Sequence, residues 1–405
     1  MAASAGDRNV SGIAMGAPST GQVAVEPSIP NLFTLPPEIQ DMLATGSSEL
    51  QQDTIDECLP FLNGAKHGKT SNAHGIPRLD KARHVRFLHS QLAGLPPQFA
   101  AADPSRPWWF YWCLHALTLF GEDVSSYRDR LVETVRPIQN ADGGFAGGFG
   151  QASHLATTYA TVLALMLVGG DAAYDAIDRK TMWKWLCSLK QPDGGFQIAV
   201  GGEKDVRGAY CASVIISSLQ LPMELSADSP ARAGGHTHLF SGLGEWVGRC
   251  QTYEGGVSAM PGVEAHGAYA FCALGCLSIL DSPHRSIPNH WVGGCWPLIQ
   301  ASLSGPSEGE ARSADQQLAD IGSLFSRNGL IRDKPSNSAQ HKWTFVAARP
   351  QDTPGATDTW QAAPYTEEEQ IFDEDDRVGT THPVYVIPQH KVEAAQQYFA
   401  TKTGF

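Results

Sequence analysis

The stretch Gln191-Pro192-Asp193-Gly194-Gly195-Phe196 decides the fold of this chain, because its core recurs. The same pattern of an acid, two glycines and an apolar residue stands at Asp142–Phe145 and at Glu254–Val257, each time a few residues after a glutamine. The first glycines of the three copies lie 51 and then 61 residues apart. A period of this size is typical of supersecondary units that bury their apolar faces only against neighbouring units. The chain is therefore predicted to be a repeat protein.

Each Gly-Gly turn lies between two stretches in which apolar residues recur at helical spacing. Helices are predicted after the turns, over His154–Val168 and Arg207–Leu219. Another is predicted over Tyr174–Leu189, where Pro192 and Gly194 then stop it. The unit is helix, turn, helix, so the predicted fold class is all-α. Such units can stack as an open solenoid or close into a ring of inner and outer helices, and the repeat alone does not separate these two arrangements.

A tyrosine early in the helix after each turn offers a way to align the copies. These tyrosines are Tyr111 (in an earlier copy with few glycines), Tyr159, Tyr210 and Tyr269. The position three residues earlier shares a helical face with the tyrosine and holds four unlike residues, namely Trp108, Ala156, Arg207 and His266. A position that only packs in a core would hold similar residues in every copy. We therefore expect these four side chains at one level of a central cavity, pointing inward; the simpler interpretation is a buried tryptophan with arginine and histidine at the surface.

Composition narrows the class of protein. The chain has 405 residues, 42% of them hydrophobic, and is long enough to bury a large core. Residues 1–75 are predicted to be a flexible extension, because Ala, Ser, Gly and Pro dominate its first 30 residues. No membrane span or secretory leader is expected. The net charge of −13 argues against a nucleic-acid partner, and eight cysteines without a Cys-x-x-Cys pair favour reduced thiols in a cytoplasmic protein.

Several long, spaced motifs resemble the beta subunits of protein farnesyltransferases, a family of protein prenyltransferases. They are Ser105–Trp108, His154–Ala156, Ser188–Gly194, Asp205–Arg207, Glu264–Gly267, Asp333–Pro335 and Thr381–Tyr385. The resemblance implies an α/α toroid, a barrel of six hairpins, over residues 76–345, followed by a C-terminal segment at 346–405 that contains an acidic loop. It also implies transfer of a farnesyl group from farnesyl diphosphate to the cysteine of a C-terminal CaaX sequence. An alpha subunit as heterodimer partner, zinc and magnesium are implied in the same way.

The resemblance assigns roles to individual residues. His266 is expected to contact the diphosphate and, with Tyr269, to be catalytic. The lipid and peptide cavity is expected to be lined by Trp108, Trp112, Tyr159, Arg207, Tyr210, Cys272 and Trp291. Asp333 matches a family aspartate associated with magnesium.

Two pieces of the family pattern are missing, near residues 290 and 337. The first would hold a fourth Gly-Gly-Phe turn, an arginine, a lysine and two zinc ligands, and the second a third zinc ligand. Residues that resemble the family pattern follow directly after each gap, at Trp291–Gly294 and at Ser338–His341. Either the chain is a natural variant with an incomplete toroid, or its coding sequence has lost two pieces.

Three functions follow as alternatives. The leading interpretation is the beta subunit of a farnesyltransferase. The second is a non-catalytic binding protein, because the zinc ligands are missing at the family positions, and on that reading the chain would hold less than one zinc per complex and would not prenylate a peptide. The third is a terpene cyclase, since Asp373–Asp376 spells Asp-x-Asp-Asp. That run lies in a charged stretch and not within an apolar helix that could raise a carboxyl pKa, which is typical of a solvated loop.

Overall fold

The computed structural model describes residues 44–62, 72, 78–95, 97–280 apart from 254, 343–345, 360–362 and 373–402. The chain divides into two compact units, Met1–Leu79 with Gln370–Glu374, and Asp80–Glu369 with Asp375–Phe405. The first unit contains helix α1 (Gly46–Leu62), so part of the predicted flexible extension is helical. In the same unit Arg78 forms an ion pair with Asp373 at 2.9 Å.

In the described part of the second unit, most regular elements are helices. They are α2 (Lys81–Ala93), α3 (Arg106–Leu119), α4 (Arg128–Val135), α5 (Leu155–Val168), α6 (Asp171–Tyr174), α7 (Arg179–Leu189), α8 (Val206–Ser218), α9 (Leu243–Gly248), α10 (Gly267–Leu280) and α11 (Gln389–Ala400). Short 3-10 helices stand at Pro97–Ser105, Val124–Tyr127, Arg136–Ile138, Pro230–Gly234 and Glu374–Asp376. Strands β1 (Trp343–Phe345) and β2 (Trp360–Ala362) pair antiparallel, with Thr344 opposite Gln361.

The sequence repeat is a repeat of outer helix, Gly-Gly turn and inner helix. Helices α4, α7 and α9 precede the three turns, and α5, α8 and α10 follow them. The inner helices α3, α5, α8 and α10 pack side by side in chain order. Helix α5 is buried on nearly all sides, whereas α7 buries one face and exposes Lys180 and Lys184 on the other, as expected of inner and outer layers. The predicted all-α toroid architecture is confirmed for these units.

Neighbouring repeats are joined by equivalent backbone hydrogen bonds. The N–H of Leu155, at the start of α5, donates to the carbonyl of Ile198 in the next turn, at 2.8 Å. The N–H of Val206, at the start of α8, donates in the same way to Ala259, also at 2.8 Å. The second and third turns therefore each satisfy one of the free N–H groups at the N-terminus of the preceding inner helix.

The predicted helix over Tyr174–Leu189 is wrong in its first part. Residues 175–178 are not helical, and α7 begins at Arg179. The carboxylate of Asp178 accepts hydrogen bonds from the N–H groups of Lys180 and Thr181, both at 3.1 Å. This N-cap satisfies two free donors and ends the preceding turn, so a cap residue outweighed the apolar spacing.

Glycines are required in the turns because no side chain fits there. Gly194 has φ +94°, and a Cβ on it would lie 2.2 Å from the carbonyl oxygen of Gly242. A Cβ on Gly195 would lie 2.7 Å from the indole of Trp246 on α9. The indole of Trp185 covers the first turn in the same manner. The Gly-Gly pair thus lets the first and second turns approach the outer helix of the following unit.

The C-terminal segment Thr381–Ile387 packs against inner helices far away in sequence. The phenol of Tyr111 on α3 donates to the carbonyl of Val386, and that of Tyr210 on α8 donates to the carbonyl of Val384, both at 2.6 Å. Tyr385 is 1% exposed and hydrogen bonded to Ser217 on α8. The segment therefore belongs to the core and bridges α3 and α8.

Candidate functional site

The structure sets the register of the repeats. The N–H of His154 donates to the carbonyl of Phe145 at 3.2 Å, and the N–H of His266 donates to Val257 at 3.0 Å, so these two histidines are equivalent. Fourteen residues after the end of each Gly-Gly motif stand Tyr159, Tyr210 and Phe271. These rings form a row, with Tyr159 and Tyr210 centroids 5.7 Å apart and Tyr210 and Phe271 centroids 5.6 Å apart.

The expected alignment of Tyr269 with the other tyrosines is therefore wrong by two residues. Ala268, not His266, is equivalent to Ala156 and Arg207. His266 is the N-cap of α10, because its Nδ1 accepts a hydrogen bond from the N–H of Ala268 at 3.1 Å. Tyr269 was aligned with Tyr159 and Tyr210 because all three are tyrosines. The register of the repeats is instead set by the constant number of residues between the Gly-Gly motif and the inner helix.

The N-cap position is occupied by a polar residue in all three copies. His154 Nδ1 accepts from the N–H of Ala156 at 3.1 Å, and the carboxylate of Asp205 accepts from the N–H of Arg207 at 2.6 Å. With His266, these caps place an imidazole, a carboxylate and a second imidazole at the N-termini of α5, α8 and α10. Burial lowers the pKa of His154, so this ring is neutral near pH 7.

Aromatic side chains of α3 form one wall of the site. The Trp108 ring lies 5.8 Å from the ring of Tyr159 and 5.6 Å from that of Trp112, between centroids. Trp108 is half-buried, whereas Trp112 is 52% exposed. Two indoles at the surface of an aromatic cluster form an apolar face that an elongated hydrocarbon could cover.

Tyr159 and Tyr210 lie behind this surface. Each is 4% exposed, and their hydroxyls are 3.4 Å apart. Burial holds the pKa of both phenols well above the ordinary value. In this structure Tyr159 supports Trp108 and Tyr210 anchors the C-terminal segment, and their expected role in lining the cavity stays a prediction.

A polar cluster lies at the N-termini of α8 and α10. The Arg207 guanidinium is hydrogen bonded through Nε and Nη2 to Asp205, which is 4% exposed. These bonds raise the pKa of Arg207. The guanidinium carbon lies 5.5 Å from the centre of the Tyr269 ring, and the His266 ring is also 5.5 Å from it. Three of the predicted site residues, Arg207, His266 and Tyr269, are thus brought together.

This cluster has the chemistry of an anion site. Arg207 keeps 53% of its side chain exposed although Asp205 fixes its orientation. A guanidinium held in place can offer its free edge to a phosphate or carboxylate. The exposed imidazole of His266 and the half-buried phenol of Tyr269 stand beside it as further donors.

Cys272 lies one helical turn after Tyr269 on α10 and is half-buried. Burial raises the pKa of its thiol to about 12. The thiol is therefore protonated at neutral pH, which suits an apolar contact and not a nucleophile.

Comparison with known proteins identifies the family. The model described as Prenyltransferase alpha-alpha toroid domain matches residues 79–320. The protein farnesyltransferase subunit beta of Pyricularia oryzae is 46% identical over an alignment of 459 positions, which covers 96% of this chain and 87% of the relative. The chain belongs to the family of protein farnesyltransferase beta subunits. The Schizosaccharomyces pombe subunit beta is 39% identical over 231 residues, 57% of this chain and 55% of its own length.

A solved structure was also matched, that of Candida albicans protein geranylgeranyltransferase-I complexed with GGPP. Its TM-score is 0.49 at 17% identity, over 80% of this chain and 99% of that one. In the alignment with the Pyricularia oryzae beta subunit, 96% of this chain is about 389 residues, so about 70 of the 459 positions have no counterpart here. The location of the missing positions near 290 and 337 stays a prediction.

Family membership favours the enzyme over the binding-protein and cyclase alternatives. Glu374 and Asp375 of the Asp-x-Asp-Asp run are exposed, as expected of a solvated acidic surface and not of a buried general acid. No helix in the part that the structure describes is long and apolar enough to cross a membrane.

For this beta subunit, some expected site residues lie outside the described part of the chain, namely Trp291 and Asp333. Among the residues that are described, no three His, Cys, Asp or Glu side chains are placed to hold one metal ion. This part of the chain does not by itself fit a zinc site.

Asp205 and Phe271 also belong to this site, although neither was predicted from the sequence. Asp205 orients Arg207, and Phe271 extends the row of rings formed by Tyr159 and Tyr210. Counting residues from the Gly-Gly motif, instead of matching tyrosines, would have found both.

Proposed function

We propose that this chain binds farnesyl diphosphate and a protein ending in a CaaX sequence, and that its heterodimer with an alpha subunit transfers the farnesyl group to the cysteine thiol. The observation that carries the proposal is the placement of an exposed aromatic wall and an anion-binding cluster on the same series of inner helices. Farnesyl diphosphate has the matching halves, an apolar chain of fifteen carbons and a charged head.

The aromatic wall is suited to the lipid half. Trp112 leaves half of a large indole in water, and Trp108 is also partly accessible. Covering such surface is favourable by about 0.8 kcal/mol for each CH₂ group that a ligand buries. The bulk of Trp108 favours a chain of fifteen carbons over one of twenty, because the longer chain needs room for additional methylenes.

The cluster of Arg207, His266 and Tyr269 is suited to the charged groups of the substrates. Asp205 holds the guanidinium before a ligand arrives, so little side-chain entropy is lost on binding. Charge-assisted hydrogen bonds from such a group are worth about 1.5–3 kcal/mol each. We place the diphosphate or the terminal carboxylate of the peptide here.

Zinc and magnesium remain proposals from the resemblance alone, and so does the role of Asp333. The described residues contribute binding and orientation of the lipid and the anionic groups. The alpha subunit, as partner, and a cytoplasmic location are proposed on the same basis.

The test is farnesyl transfer by the full-length chain purified with an alpha subunit. We expect transfer of labelled farnesyl to a peptide ending in CaaX, with a preference for farnesyl over geranylgeranyl diphosphate. Arg207→Ala should raise KM for the lipid or for the peptide by about tenfold or more, since it removes a charge-assisted bond. Arg130→Ala, which changes an exposed arginine on outer helix α4, is the matched control and should leave both constants unchanged.

Zinc content is measured on the same sample by elemental analysis. Lipid binding without transfer, with less than one zinc per heterodimer, would contradict the proposed catalysis and identify a lipid-binding protein. Equal use of the two lipids would contradict the proposed role of Trp108.

A further inference from the structure

Lys190, at the end of α7, is a fully buried lysine in the second Gly-Gly turn. Its exposure is 0%, although lysines are almost never fully buried without an ionic partner. Its Nζ donates to the carbonyl oxygen of Gly194 at 2.6 Å and lies 4.7 Å from the centre of the Phe196 ring. The structure describes no ion pair for this amine. Lys190 therefore combines a costly burial with one short hydrogen bond and a contact with an aromatic ring.

The first turn shows what this side chain does. Gln139 stands six residues before Phe145, as Lys190 does before Phe196, and both pairs form antiparallel bridges. Gln139 Nε2 donates to the carbonyl of Gly143 at 3.0 Å, the same contact that Lys190 makes with Gly194. An amide thus closes the first turn and an amine closes the second. A neutral amide would make the same hydrogen bond with a smaller desolvation cost. An amine differs from the amide in that it can gain or lose a proton.

The surroundings of Lys190 shift this titration. Burial lowers the pKa of Lys190 to about 7, although Cys276 on α10, Asp193 in the turn and Glu245 on α9 oppose the shift. Burial raises the pKa of the Cys276 thiol to about 11, so it carries no charge near pH 7. His238, in the loop before α9, has its pKa lowered, chiefly by burial and next by the charge of Lys190.

The second turn is connected to Arg207 through short-range contacts. Asp193 accepts a hydrogen bond from the N–H of Gly195 at 3.1 Å and forms an ion pair with Lys204. Lys204 pairs with Gln197 across the hairpin and directly precedes Asp205, the residue that caps α8 and holds Arg207. A displacement of the turn therefore also displaces Asp205, and with it the Arg207 guanidinium that Asp205 holds.

We propose that Lys190 clamps the second Gly-Gly turn in a pH-dependent way and, through that turn, acts as a positioning residue for the Asp205–Arg207 pair. The clamp itself requires no assumption about substrates. Only the consequence for ligand binding at Arg207 rests on the proposed function.

The direction of the effect follows from linkage. In an open turn the amine meets water and keeps an ordinary pKa near 10.5, whereas in the closed turn the pKa is about 7. Between these values the open turn binds one more proton, so closing becomes more favourable as pH rises, by about tenfold for each unit. Below about pH 7 the amine is protonated in both states, and closing no longer depends on this group.

The experiment is hydrogen–deuterium exchange of the full-length chain, alone or in its heterodimer, between pH 6 and 9. Protection of peptides covering 191–197 and 203–208 is compared at each pH with that of Lys190→Gln, so that the intrinsic pH dependence of exchange cancels. We expect the ratio of wild-type to variant protection to rise about tenfold per unit above pH 7 and to be flat below it. A ratio that does not change with pH would overturn the proposal.

Two further variants separate the hydrogen bond from the charge. Lys190→Met removes the donor, so both peptides should be less protected than in Lys190→Gln at every pH. Equal protection in these two variants would show that the contact with Gly194 does not hold the turn. Gln139→Lys places an amine at the equivalent but half-exposed site and should bring no pH dependence to the first turn. If Lys190→Met does not fold, the comparison of wild type with Lys190→Gln decides.

Discussion

Replacing Gly194 by alanine should destabilise the protein much more than the same replacement at Gly201. Both glycines have positive φ, +94° and +75°, so both variants place an alanine in a backbone conformation that costs about 1–2 kcal/mol. A smaller gain of about 0.4–1 kcal/mol, from reduced entropy of the unfolded chain, offsets part of this cost in each case. Gly201 is therefore a control for conformational strain without a clash.

The two positions differ in what the new methyl group meets. At Gly201, among the described residues, nothing lies within 4 Å of the added Cβ. At Gly194 the Cβ would stand 2.2 Å from the carbonyl oxygen of Gly242. That oxygen is backbone at the start of α9, so no side-chain rotation can relieve the clash. Forced overpacking costs about 1–3 kcal/mol, and a backbone contact belongs to the upper part of that range.

We therefore expect Gly194→Ala to lose about 2–3 kcal/mol more than Gly201→Ala. For a domain of about 150–250 residues, 1 kcal/mol corresponds to roughly 2–4 °C, so the melting temperatures should differ by about 4–12 °C. Thermal unfolding of both variants, followed by circular dichroism in the same buffer, measures this. If the two variants melt within about 1 °C of each other, the contact between the turn and α9 is not the reason that position 194 requires glycine.

Tyr210→Phe should lower stability by about 1–3 kcal/mol and speed proteolysis of the C-terminal segment, because the buried carbonyl of Val384 loses its phenol donor. Tyr253→Phe, at a side chain that is 103% exposed, should change neither quantity, and a Tyr210→Phe protein as stable as this control would refute the anchoring role. Trp108→Thr should shift the ratio of binding constants toward geranylgeranyl diphosphate, because it removes the indole that contacts Tyr159 and Trp112. An unchanged ratio of the two lipid affinities, measured by titration, would contradict this.

The amino-acid sequence was sufficient to predict the repeat, the helical class and the family. These depend on local signals: glycine pairs at a regular period, apolar residues at helical spacing, and motifs of several consecutive residues. Glycine carries the most information because positive φ and close backbone approach both exclude other residues. The position of α7 was predicted less well, since Asp178 as a cap outweighed the apolar pattern.

The candidate site was predicted only in part. Arg207, His266 and Tyr269 do lie together, although the alignment that suggested this was wrong for the last copy. Matching by residue type paired Tyr269 with Tyr210, whereas equal turn lengths pair Phe271 with it. Similar side chains are weak evidence of register, because the backbone hydrogen bonds of the turn set it.

Other features were decided by tertiary structure alone. The sequence does not show that Lys190 is buried, because Glu245 on α9 and Cys276 on α10 stand near it as well as the residues of its own turn. The phenol of Tyr210 is held by Val384, 174 residues away. Asp205 orients Arg207 locally, but the Tyr269 ring, 5.5 Å from the guanidinium carbon, is contributed by another repeat. Burial and orientation are sums over non-local contacts, and these exist only once the inner helices have packed against each other and against the C-terminal segment.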